Sequence, residues 1–173
     1  MSSAAPPFVL RGFGQNPGQE NPAPEIPAHE IEEGRLFAPK FDAAGLIACV
    51  VTDVESGDLL MVAHMNAEAL ERTITTGDAW FYSRSRQALW KKGETSGHVL
   101  HVAEMRVDCD QDVLWLRVRQ SAPGACHTGR PSCFYRAVVR EAPDAPLTLA
   151  FRDDERVFDP AKVYGELKAP LAP

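Results

Sequence analysis

The stretch GLIACVVTDVESGDLLMVAHM, residues 45–65, decides the fold. Its two outer runs, 45–53 and 59–65, are apolar and rich in residues that favour β-strands. The segment ESGD between them, residues 55–58, has the composition of a turn. Two apolar runs joined by a short turn predict an antiparallel β-hairpin.

A short helix is predicted directly after this hairpin, in the segment NAEALERTITTG. Asn66 is a good N-cap, and Gly77 is a candidate C-cap. Leu70 and Ile74 lie four residues apart, which is the spacing of neighbours on one helix face.

Further strands are predicted on the C-terminal side of the helix, in AWFYSRS, VLHVAEMRVDC, VLWLRVRQ and CFYRAVVR. The sequence therefore predicts a β-rich α+β domain at 36–140, with a compact mixed or antiparallel sheet and one or two short helices. Six prolines interrupt residues 1–35, which are expected to form a proline-rich, loosely attached N-terminal arm. Residues 141–173 are expected to form an extension that packs on the domain.

Composition limits the function classes. With 173 residues the chain has room for one domain, and its net charge of −6 argues against broad nucleic-acid binding. We find no signal peptide and no apolar run long enough to span a bilayer, so we expect a cytoplasmic protein without a membrane partner. In a reducing compartment, clustered cysteines indicate metal binding or catalysis more often than disulfides.

Three of the four cysteines lie close to one another in the sequence. Cys49 belongs to an apolar run and is expected in the core. The remaining three are Cys109, Cys126 and Cys133, and three protein ligands with an open fourth position are what a catalytic zinc ion needs. A structural three-cysteine site, or a coincidence of spacing, stays an alternative at this point.

An acidic cluster surrounds the first of these cysteines. Asp108, Asp110 and Asp112 offer the hard oxygen ligands that magnesium prefers. If the chain is extended here, the three carboxylates share one face and Cys109 points to the other. A turn at Asp110–Gln111 would end this alternation but keep the carboxylates clustered. A solvated acidic hairpin end is the alternative to a metal site.

A basic segment at residues 81–98 contrasts with the acidic composition of the chain. It combines cations and hydroxyls with two glycines that let the backbone approach a ligand closely. This pattern predicts a phosphate-binding surface, with a solvated strand and loop as the alternative. The polar residues of interest are Ser83, Arg84, Arg86, Lys91, Lys92, Glu94, Thr95 and Ser96.

Taken together, the segments FYSRSRQALWKKGETSGH, DCDQD and ACHTGRPSCFYR resemble phosphoribosyl-AMP cyclohydrolases in order and spacing. The resemblance extends from about Phe41 to Arg136. It implies a hydrolase of histidine biosynthesis that opens the adenine ring of 1-(5-phosphoribosyl)-AMP at the N1–C6 bond. It also implies an intertwined homodimer with one zinc and one magnesium ion per subunit.

The resemblance assigns roles to the clustered residues. Zinc would be held by Cys109, Cys126 and Cys133, with Cys109 coming from the opposite subunit. Magnesium would be held by Asp108, Asp110 and Asp112. The eight polar residues of the basic segment would bind the substrate.

His127 is our candidate for proton transfer, because imidazole titrates near neutral pH and this one is adjacent to a predicted zinc ligand. A purely hydrogen-bonding role beside the metal is the alternative. His98 and Pro131 stand where many members have asparagine and a basic or polar residue, respectively. We expect these two differences to affect only details of substrate contact.

Two other functions compete with this interpretation. A zinc nucleotide deaminase would need the patterns H-x-E and P-C-x-x-C, and the sequence contains neither. A zinc-dependent binding or redox-sensing module would need a closed four-ligand site and no phosphate-binding surface.

Overall fold

The computed structural model describes residues 26–165, which form a β-rich arrangement of eight strands and three short helices. The elements in chain order are α1 (Ala28–Glu32), β1 (Ile47–Asp53), β2 (Leu59–Met65), α2 (Ala67–Thr76), β3 (Trp80–Ser83), β4 (Ala88–Lys91), β5 (Leu100–Val107), β6 (Val113–Gln120), β7 (Arg136–Val139), β8 (Thr148–Phe151) and α3 (Pro160–Tyr164).

Two antiparallel hairpins, β1–β2 and β5–β6, form the main sheet. Parallel pairing of β1 with β6 joins them in the order β2-β1-β6-β5, with Ala48 beside Val113 at one end of the ladder. Side chains alternate along β6, so that Leu114, Leu116 and Val118 are buried in the core. The predicted β-rich α+β class, with a mixed sheet and a few short helices, is confirmed.

The hairpin and the helix predicted from residues 45–77 are both present. Asn66 caps α2 by accepting a hydrogen bond from the Ala69 amide at 2.9 Å, and Gly77 adopts the left-handed conformation at the C-terminus, with φ of 73°. Leu70 is fully buried, whereas Ile74 lies at the edge of the buried face and is 40% exposed.

Two smaller hairpins complete the strands. The β3–β4 hairpin buries Phe81, whose ring lies 5.0 Å from that of Trp90. The β4 strand was not predicted, because its sequence belongs to the basic segment. The β7–β8 hairpin crosses residue 140, so the expected boundary between domain and extension falls inside a single hairpin.

The N-terminal segment from residue 26 onward lies on the domain. The α1 helix buries Ile31, and Gln111 donates hydrogen bonds to the carbonyls of Ile31 and Leu36 at 3.1 and 3.0 Å. Its Oε1 accepts a third from the Ala38 amide at 2.8 Å. Residues 26–35 of the expected arm thus contact the domain at these points, and residues 1–25 lie outside the described residues.

These contacts predict a stabilising role for Gln111. Gln111→Ala should lower the free energy of unfolding by about 3 kcal/mol, because it removes three hydrogen bonds and leaves buried backbone groups unpaired. Gln87→Ala is the matched control, since both glutamines have positive φ but Gln87 is exposed. Chemical denaturation of both variants measures the difference, and equal losses would contradict this role.

Candidate active site

The cysteine loop, residues 125–133, is a compact turn closed by its own backbone. The Cys126 amide donates to the Arg130 carbonyl at 3.1 Å, and the Gly129 amide donates to the Cys126 carbonyl at 3.0 Å. Gly129 has a φ of 85°, a conformation that favours glycine. At the end of the loop, the Cys133 amide donates to the Leu60 carbonyl of β2 at 2.8 Å. The loop is thereby fixed to one edge of the main sheet.

Two thiols meet in this loop. The Cys126 and Cys133 side chains are hydrogen-bonded to each other, and the Cys126 Sγ lies 3.0 Å from the Thr128 hydroxyl. The hydrogen bond from Cys133 lowers the pKa of Cys126, and the same bond raises the pKa of Cys133. The pair therefore favours one thiolate, which is the form of cysteine that binds metals.

A cavity of about 430 Å³ lies against the cysteine loop. Cys133 and His127 line one side of it, and the basic segment lines much of the rest. Lys92 is 7% exposed, and burial lowers its pKa, although the nearby thiols act in the opposite direction. The lining residues are Met61, Arg86, Trp90, Lys91, Lys92, Gly93, Glu94, Thr95, Ser96, Ala125, His127, Cys133 and Tyr164.

Six of the eight predicted substrate-binding residues line this cavity, and Ser83 and Arg84 do not. The Ser83 hydroxyl instead accepts a hydrogen bond from the Arg86 Nε at 3.2 Å, next to the cavity wall. Lys91 donates to the Asp78 carboxylate at 2.8 Å, and this bond lowers the pKa of Asp78. No motif in the sequence indicates that Asp78 is the partner of Lys91.

The two histidines near the loop have different surroundings. His127 is exposed and lines the cavity. His98 does not line it, and its Nδ1 lies 3.3 Å from the Gly124 carbonyl oxygen while its ring meets the edge of the Phe158 ring at 4.6 Å. His98 therefore contacts residues that adjoin the cysteine loop and does not border the cavity.

The acidic loop, residues 108–112, connects β5 to β6. The extended arrangement considered for this segment is wrong, because β5 ends at Val107 and Gln111 has a φ of 60°. The carboxylates of Asp108, Asp110 and Asp112 nevertheless converge, with one oxygen from each within 4.8 Å of the others. Partial desolvation, together with the negative charges of Asp110 and Asp108, raises the pKa of Asp112.

Lys40 partly balances the charge of the acidic loop. Its ammonium lies 3.4 Å from the Asp110 carboxylate and 3.9 Å from that of Asp112. All of these groups are substantially exposed, so the ion pairs contribute little to stability. The loop thus combines hard oxygen ligands with access from solvent.

The acidic and cysteine loops lie toward opposite ends of the main sheet. The β1–β6 ladder has Ala48 beside Val113 next to the acidic loop, whereas Leu60, which holds Cys133, lies next to Leu59, the partner of Thr52. Four residues of strand separate these levels by roughly 13 Å. Cys109 is exposed, and within residues 26–165 no cysteine belongs to a cluster of three potential metal ligands.

Several cavity residues were not singled out from the sequence. Trp90 of β4 packs on Phe81 and also lines the cavity. Met61 comes from β2 and Tyr164 from α3. Neither has a sequence signal of its own, because each reaches the cavity only through the packing of its element.

Comparison with known proteins agrees with the resemblance noted in the sequence. Residues 61–135 match the model of the family described as phosphoribosyl-AMP cyclohydrolase. This range contains the basic segment, the acidic loop and the cysteine loop. Between residues 26 and 165, no helix is both long and apolar enough to cross a bilayer.

Curated proteins are similar to most of the chain. A phosphoribosyl-AMP cyclohydrolase of Rhodopseudomonas palustris (strain HaA2) is 66% identical over 137 residues, which are 79% of this chain and 92% of the relative. One from Nitrobacter winogradskyi is 64% identical over 135 residues, covering 78% and 92%, respectively. One from Bradyrhizobium diazoefficiens is 63% identical over 137 residues, covering 79% and 96%.

Proposed function

The chain belongs to the phosphoribosyl-AMP cyclohydrolase family of hydrolases, and on that premise we propose that it hydrolyses 1-(5-phosphoribosyl)-AMP in histidine biosynthesis. The reaction adds water at C6 of the adenine ring and breaks the N1–C6 bond. The observation that carries the proposal is the cavity, which brings a paired thiol site together with a buried cation and hydroxyl groups. A cytoplasmic location stays a prediction.

The thiol pair fits a zinc ion. Cys126 and Cys133 are close enough to hydrogen-bond, their environment favours a thiolate, and Cys133 faces the cavity. Soft thiolates are zinc ligands, and two ligands leave room for Cys109 of a second copy and for water. When bound, zinc would supply a Lewis acid that lowers the pKa of water toward neutrality.

The residues of this chain supply the rest of the mechanism. His127 faces the cavity next to Cys126, so its imidazole is placed to accept a proton from the attacking water or to return one to N1. Arg86 and Lys92 attract the phosphates, and Thr95 and Ser96 offer hydroxyl donors. Holding the phosphates orients the adenine ring over the thiol site, and orientation alone contributes several kcal/mol.

The separation of the two loops supports a homodimer with a shared zinc site. Cys109 is exposed at the acidic-loop end of the sheet, away from Cys126 and Cys133. A second copy, placed with its acidic-loop end against this cysteine loop, would provide the missing ligand to both sites at once.

The same arrangement would bring the acidic loop of one subunit near the cavity of the other. Three converging carboxylates fit a magnesium ion, which would help to neutralise the substrate phosphates. The proposed assembly therefore uses both loops in one composite site.

Turnover of phosphoribosyl-AMP is the decisive test. We expect an ultraviolet absorbance change on mixing the zinc-loaded protein with this nucleotide, without release of ammonia. Ammonia release would favour a deaminase, and an unchanged spectrum would favour a module that binds without turnover. Either result would reject the proposed reaction.

Asp110→Asn tests the magnesium site separately. Because the amide keeps the shape but not the charge, half-maximal activity should need about tenfold more magnesium, with zinc content unchanged. Asp144→Asn, at an exposed hairpin turn, is the matched control. If the magnesium dependence of Asp110→Asn equals that of the wild type, the acidic loop is a solvated hairpin end and not a metal site.

A further inference from the structure

Residues 153–165, the C-terminal segment, are anchored on the cysteine loop although they lie outside the range matched by the family model. The guanidinium of Arg130, 7% exposed, donates to the Asp154 carboxylate at 2.7 Å and lies 4.2 Å from the Tyr135 ring centroid. The Val157 amide donates to the Gly129 carbonyl at 2.8 Å. The segment therefore contacts the loop through both side chains and backbone.

Phe158 of the C-terminal segment packs closely against Gly124 and Gly129. A Cβ added at Gly124 would approach the Phe158 ring to 2.6 Å, and one added at Gly129 would approach the Phe158 carbonyl oxygen to 2.4 Å. The ring also meets His98 edge-on at 4.6 Å. Gly129 in the cysteine loop and Gly124 just before it thus leave the space that the C-terminal segment occupies.

This anchoring places α3 at the mouth of the cavity. Pro160 is buried against Gly129, and the Asp159 side chain caps the helix by accepting a hydrogen bond from the Ala161 amide at 3.0 Å. Four residues later, Tyr164 lines the cavity, with its ring 6.4 Å from that of Phe158. The position of Tyr164 therefore depends on the contacts between the C-terminal segment and the cysteine loop.

The Tyr164 hydroxyl is available to a ligand. It makes no hydrogen bond to any of residues 26–165, although it borders a cavity rich in donors. Arg86, Lys92, Thr95 and Ser96 line the same space, and every one of them can donate to an anion. A phenol hydroxyl adds one more donor, which suits a phosphate oxygen better than an apolar group.

We propose that Tyr164 is a substrate-binding residue whose hydroxyl donates a hydrogen bond to a phosphate oxygen of the nucleotide. The inference rests on the proposed function and adds the C-terminal segment to the substrate site. It also gives the glycines at positions 124 and 129 a role in substrate binding, because they let the segment dock.

Tyr164→Phe tests the inference, because it removes only the hydroxyl and keeps the ring packed beside Phe158. We expect KM for phosphoribosyl-AMP to rise about tenfold, the loss of one hydrogen bond to a charged group. The kcat and the zinc content should stay at wild-type values. Tyr82→Phe removes the same hydroxyl from β3, outside the cavity lining, and should leave KM unchanged.

A binding measurement makes the inference independent of turnover. By calorimetry, Tyr164→Phe should bind AMP about tenfold more weakly than the wild type, yet bind adenosine equally well. The inference is overturned if the variant binds AMP as tightly as the wild type does. It is also overturned if the wild type does not prefer AMP to adenosine, or if the variant loses zinc. If the wild type shows no turnover but Tyr164→Phe still binds AMP more weakly, the proposed reaction is rejected. The contact between Tyr164 and a phosphate is then retained.

Discussion

Cys126→Ser or Cys133→Ser should abolish zinc binding and reduce kcat/KM more than about a hundredfold. This effect is larger than that of losing a residue that only orients a metal ligand. The two sulfurs are hydrogen-bonded in one loop, and the serine hydroxyl is a poor zinc ligand at neutral pH. Metal analysis of the purified variants measures the loss, and circular dichroism checks that the fold is retained. Wild-type zinc content in either variant would contradict the ligand assignment.

Cys49→Ala provides the control for these cysteine variants. Cys49 is fully buried in β1, and burial raises the pKa of its thiol to about 12, so it is a neutral core group. Its replacement should lower stability by about 1 kcal/mol or more while zinc content and KM stay unchanged. Loss of zinc in this variant would show that the buried cysteine had been misinterpreted.

Mixing two inactive variants should restore about a quarter of wild-type activity. If each zinc site takes Cys109 from one subunit and Cys126 with Cys133 from the other, neither Cys109→Ser nor Cys126→Ser has an intact site. Random pairing makes about half of the dimers mixed, and each mixed dimer has one intact site of two. The quarter applies to the unfractionated mixture, and the mixed dimer isolated by two different affinity tags should have about half of wild-type activity.

The control for this experiment combines two variants that each remove one cysteine of the Cys126–Cys133 pair. Co-expression of Cys126→Ser with Cys133→Ser should restore nothing, because both chains lack a complete thiol pair. Activity that stays at the single-variant level in purified mixed dimers of Cys109→Ser and Cys126→Ser would rule out the shared site. Zinc analysis of those dimers gives a readout besides activity, since one ion per dimer is expected.

Local signals explain which parts of the fold could be predicted. Asn66 and Gly77 mark the ends of α2 because capping depends on a few neighbouring residues. β4 has no such marker, since Lys91 and its neighbours suggest a loop, while pairing with β3 and the packing of Trp90 make the segment a strand. The local preference of these residues was overridden there by pairing across the β3–β4 hairpin and by the packing of Trp90 on Phe81.

In the candidate site, too, residues with a local chemical signal could be predicted, and features that depend on tertiary contacts could not. The thiols and carboxylates were recognisable because metal chemistry restricts the residue types, whatever the backbone conformation. The turn at Gln111 could not be chosen over an extended strand, because its buried amide is stabilised by Ile31 and Leu36, about eighty residues away in the chain. Tyr164 was missed because only the docking of the C-terminal segment brings it to the cavity.

The parallel pairing of β1 with β6 also constrains how the chain reaches its native state. Each hairpin joins neighbouring segments, so both can form early and independently, whereas the central ladder joins residues roughly 65 positions apart and carries a larger loop-closure cost. We therefore expect the slow phase of refolding to be the docking of two preformed hairpins along β1 and β6. Until that step is complete, the cysteine loop and the acidic loop belong to separate folding units.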